Sequence, residues 1–132
     1  MKANQQGFTL IELIVVIVIL GVLAATALPK FVDLRSDATK ASVEGVAGAA
    51  ASAMNLNYSA CALANNAAST AGGVACNKVD QCSDTSALLQ GGLPTGYTLG
   101  GTDPGTTNGA TSTCTVTKDS QVANFTAIAA GN

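Results

Sequence analysis

The chain has 132 residues and a net charge of −2; 48% of it is hydrophobic, only 4% is aromatic, and it has no histidine or tryptophan. Without histidine it lacks the usual general base and the commonest metal ligand, and no basic stripe offers itself to nucleic acid. The residues therefore read as a non-enzyme with no cofactor or metal, long enough for one small domain plus one apolar segment.

Met1 to Gly7 is short and polar, with Lys2 its one cation. From Phe8 to Leu28 the only polar side chains are Thr9, Glu12 and Thr26. As a helix rising about 1.5 Å per residue, this run spans roughly the hydrocarbon core of a bilayer. Glu12 is the anomaly, because an acid inside an apolar helix costs a few kcal/mol unless it is paired.

Three readings fit the segment. Ala25-Thr26-Ala27 has the small-x-small form of a secretory cleavage site. A plain single-span anchor explains the length but not the acid. Cleavage after Gly7, with the apolar run retained, frees an α-amine on Phe8 that is largely protonated near neutral pH. Residues 8 and 12 lie one turn apart on one helix face. Rods packed with an axial offset can then set the carboxylate of one against the amine of the next, each charge neutralising a partner otherwise buried alone.

Between Gly21, a poor helix former, and Pro29, which removes the donor to the carbonyl of Ala25, lie small residues that pack weakly. That stretch is a candidate for local unwinding within an assembly. Beyond Pro29, Val43, Val46, Ala47, Ala50, Met54, Tyr58 and Cys61 recur at spacings of three and four. Asp33, Asp37, Lys40 and Glu44 make a charged stripe about a quarter turn away, read as a solvated or subunit-facing surface. The pattern predicts one helix from about Phe8 to Cys61, kinked near Pro29.

From Ala62 to Asn77 the composition is that of a loop, and Lys78 to Leu89 can hold a short helix capped by Asp84 or Thr85. Tyr97 to Leu99, Thr113 to Thr117 and Val122 to Ile128 alternate as strands. The expected sheet is antiparallel, of three or four short strands packed on the helix. Asn57-Tyr58-Ser59 and Asn124-Phe125-Thr126 match the glycosylation triplet, which a bacterial-type export signal makes a poor reading.

Few large apolar residues remain outside Phe8 to Leu28, so the domain needs staples. Cys61, Cys76, Cys82 and Cys114 supply them in an exported, oxidised domain. A four-thiolate zinc site is disfavoured by irregular gaps and the lack of any C-x-x-C pair. Three pairings are possible. Cys61–Cys76 with Cys82–Cys114 would tie the loop to the helix end and the later segment to a strand; the nested Cys61–Cys114 with Cys76–Cys82 stands close beside it.

Gly7-Phe8-Thr9-Leu10-Ile11-Glu12, with the apolar run behind it, resembles the type III signal of type IV pilins and their pseudopilin relatives. The resemblance covers about residues 7 to 35. It implies a prepilin peptidase cutting between Gly7 and Phe8, N-methylation of Phe8, and an assembly role for Glu12. It implies that Gly21 and Pro29 bracket a stretch that melts in the filament, and a disulfide enclosing the C-terminal region suits Cys82–Cys114. Pro29 to Leu34 is similar to the start of the exposed helix in mannose-sensitive haemagglutinin-type pilins.

The combined expectation is an α+β pilin fold, one long N-terminal helix on a small antiparallel sheet. Residues 1–7 would be leader, 8–28 a membrane and filament-core helix, and 29–132 the globular domain, with its helical spine at 29–61 and its loops and sheet at 62–132. The resemblance implies an inner-membrane preprotein assembled by inner-membrane machinery into a homo-oligomeric extracellular pilus serving adhesion or motility. A type II secretion pseudopilin and a non-polymerising anchored or secreted binding domain are the alternatives.

Overall fold

The computed structural model describes residues 7–68 and 75–132; the leader upstream of Gly7 lies outside them. A single helix, α1, runs from Leu10 to Leu63. Residues divide into two compact units, the first ending at Asp37 and the second covering Ala38–Asn132. In the first, every described residue is exposed. Pro29 sits within α1, and the backbone is helical on both sides of it.

The second unit has a sided helix. Val43, Ala47, Ala50, Met54, Asn57 and Cys61 are buried, a spacing of three and four that turns one face to the core. Val46 and Tyr58, expected on that stripe, are half-buried at its edges. Asn57 takes a place inside that an apolar pattern does not anticipate. α1 ends two residues beyond Cys61, where Asn65 and Asn66 turn left-handed with φ of 53° and 57°. The Asn66 N–H then donates to the Cys61 carbonyl at 2.7 Å, closing the helix with the residue type that best tolerates this conformation after glycine.

Three antiparallel strands follow in the order β1 (Thr98–Gly101), β2 (Thr111–Lys118) and β3 (Gln121–Ile128). β2 and β3 pair over their full length, from Thr111 opposite Ile128 to Lys118 opposite Gln121. Asp119 and Ser120 alone make the hairpin, both at positive φ, as a tight two-residue turn requires. β1 pairs with the other edge of β2, with Leu99 opposite Val116. At its end Gly101 has φ of 108°, and a Cβ there would stand 2.6 Å from the Thr113 carbonyl oxygen, so only glycine fits.

The helix expected over Lys78 to Leu89 is shorter. A 3-10 turn at Cys82–Asp84 leads into α2, Thr85–Leu88. Upstream, Val79 is drawn into a bridge with Ala130, and the Asp84 carboxylate accepts from the N–H groups of Asp80 and Gln81 at 3.0 and 2.9 Å. These backbone groups are thereby used outside a helix.

The core joins Val43, Ala47, Ala50 and Met54 of α1 to Val79, Val116, Phe125 and Ala127. The disulfide Cys82–Cys114 lies within it, pinning the 3-10 turn to β2, and Cys61–Cys76 fastens the end of α1 to the chain that follows. The nested pairing is absent, and the described residues contain no free cysteine. Beside the second bond, buried Asn57 donates from Nδ2 to the Asn77 carbonyl and accepts the Asn77 N–H at Oδ1, both at 2.9 Å. Engaged at both ends, Asn57 is unavailable as a glycosylation acceptor.

Candidate assembly site

The first unit presents an apolar helix with nothing of its own chain against it. Phe8 is 92% exposed, and the aliphatic side chains from Leu10 to Leu23 are all exposed too. α1 is long and apolar enough to cross a membrane. Folding of this chain alone hides none of that surface, so lipid or other helices must cover it.

Glu12 stands at the beginning of this surface and is already engaged. Thr9 precedes the first helical residue, and its Oγ1 accepts from the Glu12 N–H at 3.3 Å. In return one carboxylate oxygen, Oε2, accepts from the Thr9 N–H at 2.8 Å and from its hydroxyl at 2.7 Å. This reciprocal pair is a capping box, and the helix dipole favours an anion at this end. No cation is present between Phe8 and Leu28. The other carboxylate oxygen makes no hydrogen bond among the described residues. Phe8, Ile11, Glu12 and Val15 fall on one face and, with Leu13 and Val16, line an open depression at the helix start.

Thr9 is the residue that the sequence reading of the charges passed over. Its signal was present, because Ser/Thr-x-x-Glu before an apolar run marks a helix start. Gly21 and Pro29 lie in wound helix. A Cβ on Gly21 would meet nothing within 4 Å, so packing inside this chain does not demand glycine there. Between them the Thr26 hydroxyl donates back to the carbonyls of Leu23 and Val22 at 3.0 and 3.4 Å, a bond that tends to bend helices. The described residues hold no cluster of three or more metal-ligating side chains.

The family described as the prokaryotic N-terminal methylation motif matches residues 2–28. Its N-terminal segment makes this chain a type IV pilin. The type IV narrow pilus major component PilA5 of Thermus thermophilus is 54% identical over 50 residues, 38% of this chain and 43% of the relative. Fimbrial protein EcpC of Eikenella corrodens is 42% identical over 59 residues, 45% of this chain and 39% of its own. The type IV major alpha-pilin of Moraxella bovis is 54% identical over 46 residues, 33% and 29% of the two chains. The match thus spans less than half of each of these relatives. No solved structure matches the chain at the same stringency. The pilin resemblance therefore rests on the first unit and the start of the second, while the α+β architecture of the second is seen directly: a long helix on a three-stranded antiparallel sheet.

Proposed function

We propose that this chain is a structural subunit of a type IV pilus and not an enzyme. Residues 1–7 are the leader, 8–28 the membrane and then filament-core helix, and 29–132 the globular domain. Prepilin peptidase cuts between Gly7 and Phe8 and methylates the new Phe8 amine. Inner-membrane machinery then moves subunits from the bilayer into an extracellular homo-oligomeric fibre. One observation carries this reading: a lone carboxylate at the start of a wholly exposed apolar helix, one turn from the residue that cleavage would turn into a cation.

Thr9 satisfies one oxygen of Glu12 while the subunit waits in the membrane. The other oxygen is left for the amine of a neighbour. Uncut chains have no amine at Phe8, so cleavage switches assembly on. Burial of the Phe8 to Leu28 surface exchanges lipid contacts for helix contacts, and Glu12 sets register rather than supplying most of the affinity. Weak packing between Gly21 and Pro29 supports unwinding there in the fibre. The names of the relatives, major pilus components, favour a pilus over a secretion pseudopilus.

The test is intact mass and N-terminal peptide mass spectrometry, without reduction, on protein sheared from cells. N-methylated Phe8, with a mass lowered by the hydrogens of two disulfides, is expected. A chain beginning at Leu28 would mean an ordinary signal peptide and would overturn the filament reading. An intact Met1 terminus confined to membranes would leave an anchored, non-polymerising domain.

A further inference from the structure

β2 reads Thr111-Ser112-Thr113-Cys114-Thr115-Val116-Thr117-Lys118, and its pleat sorts these residues cleanly. Cys114 and Val116 are fully buried against α1, so the four threonines share the opposite face. The register extends that face across the sheet. Thr98 flanks Thr117, and Asn124 and Thr126 of β3 flank Thr115 and Thr113. No charged side chain lies among these positions, although the chain carries 6 basic and 8 acidic residues. Gly100 lies beside Thr115 and leaves its hydroxyl uncovered.

From this juxtaposition we propose that the outer sheet face is an adhesive surface for an extended, neutral polysaccharide. The geometry supplies hydroxyl and methyl together at points about 6.7 Å apart along a strand and about 4.8 Å apart between strands. Each threonine can donate, accept and offer a C–H contact, the three things a sugar ring with equatorial hydroxyls presents in return. β-branching restricts χ1, so the array is largely ordered before binding and loses little side-chain entropy. Thr98 donates to the Thr117 carbonyl at 3.5 Å, whereas Thr113, Thr115 and Thr126 make no side-chain hydrogen bond among the described residues. Absence of charge from the face disfavours an anionic glycan, nucleic acid or lipid headgroup. Absence of aromatics, Met and Arg from it disfavours a protein partner, including a second copy, because those residues dominate the cores of protein interfaces. The inference uses only the second unit and is separate from the assembly reading.

The test measures retention of sheared fibres on microcrystalline cellulose, in low and molar salt. If no fibres form, the detergent-solubilised full chain replaces them, so failure of assembly is distinguished from failure of this surface. Retention insensitive to salt is expected. The triple variant Thr113→Val, Thr115→Val, Thr126→Val keeps shape and strand propensity, and should bind about tenfold more weakly as three hydroxyl contacts are lost. Should the triple variant lower the melting temperature, Thr113→Val alone is used, with a loss of about twofold expected. Wild-type retention no greater than that of albumin overturns the proposal, as does undiminished binding by the variant that folds. So does a Thr113→Lys chain that loses fibres while remaining folded, since the face would then be buried between copies.

Discussion

Removal of the Cys82–Cys114 bond tests how the second unit is held together. The bond closes 32 residues, and chain entropy alone assigns it about 3.7 kcal/mol, against about 3 kcal/mol for the 15 residues closed by Cys61–Cys76. Both cysteines of the first pair are packed in the main core and are 3% and 0% exposed, so their loss also loosens Met54 and Phe125 around them. A domain of this size shifts its melting midpoint by roughly 4–8 °C per kcal/mol, so Cys82→Ala with Cys114→Ala should lower it by roughly 15–30 °C. The Cys61→Ala, Cys76→Ala pair should cost somewhat less. The assay is near-ultraviolet circular dichroism of the oxidised full chain in detergent, reading Tyr58 and Tyr97, because far-ultraviolet signal from the apolar half of α1 persists after the second unit melts. A midpoint lowered by less than about 5 °C in the Cys82/Cys114 variant would refute the reasoning, since about 1 kcal/mol is too little for a core-embedded staple.

Three further outcomes follow from particular contacts. Asn57→Leu strands the Asn77 N–H and carbonyl and should cost about 2–4 kcal/mol in thermal or denaturant unfolding. Asn57→Asp keeps the acceptor but sets a carboxylate against the Asn77 carbonyl; its pKa is thereby raised, so this variant should regain stability as pH falls through the raised value. Thr9→Val opens the capping box while Glu12 stays in place; fewer fibres with normal Phe8 methylation are expected by electron microscopy and mass spectrometry, whereas unchanged fibre yield would remove Thr9 from assembly. The Lys78 ammonium, 2.7 Å from Asp80, holds that carboxyl below its usual range, and Asp80 holds Lys78 above its own. The Asp80 contribution is therefore full above the ordinary Asp range and lost as pH falls through the lowered value, while that of Lys78 is lost as pH rises through the raised one. Asp80→Asn should flatten both limbs of a stability–pH profile and change little at neutral pH, as befits an exposed pair.

What could be read from the residues followed from how local its cause was. Period-four apolar spacing placed the buried face of α1, and alternation placed all three strands, because each pattern is set by neighbours a few positions away. The Lys78 to Leu89 helix was overestimated because distant partners decide there: Ala130 holds Val79, and Asp103 takes the Cys82 N–H at 2.8 Å. The hairpin at Asp119-Ser120 carries no glycine to announce its left-handed turn. Composition also counted Phe31, Val32, Leu34, Leu56, Leu63 and Val122 toward a thin core, yet all six are exposed. Hydrophobicity records that a side chain avoids water, not whether its own domain, lipid or another subunit covers it.

Glu12 shows the limit from the other side. Ser/Thr-x-x-Glu spacing makes it an ordinary helix cap, and a helix in water would need no further explanation for it. The same cap ahead of an unbroken apolar surface is different, because one carboxylate oxygen remains without a hydrogen bond among the described residues where lipid or helices must lie. Function is therefore written in the combination: a local motif that holds the acid in place, and a context in which holding it is not enough.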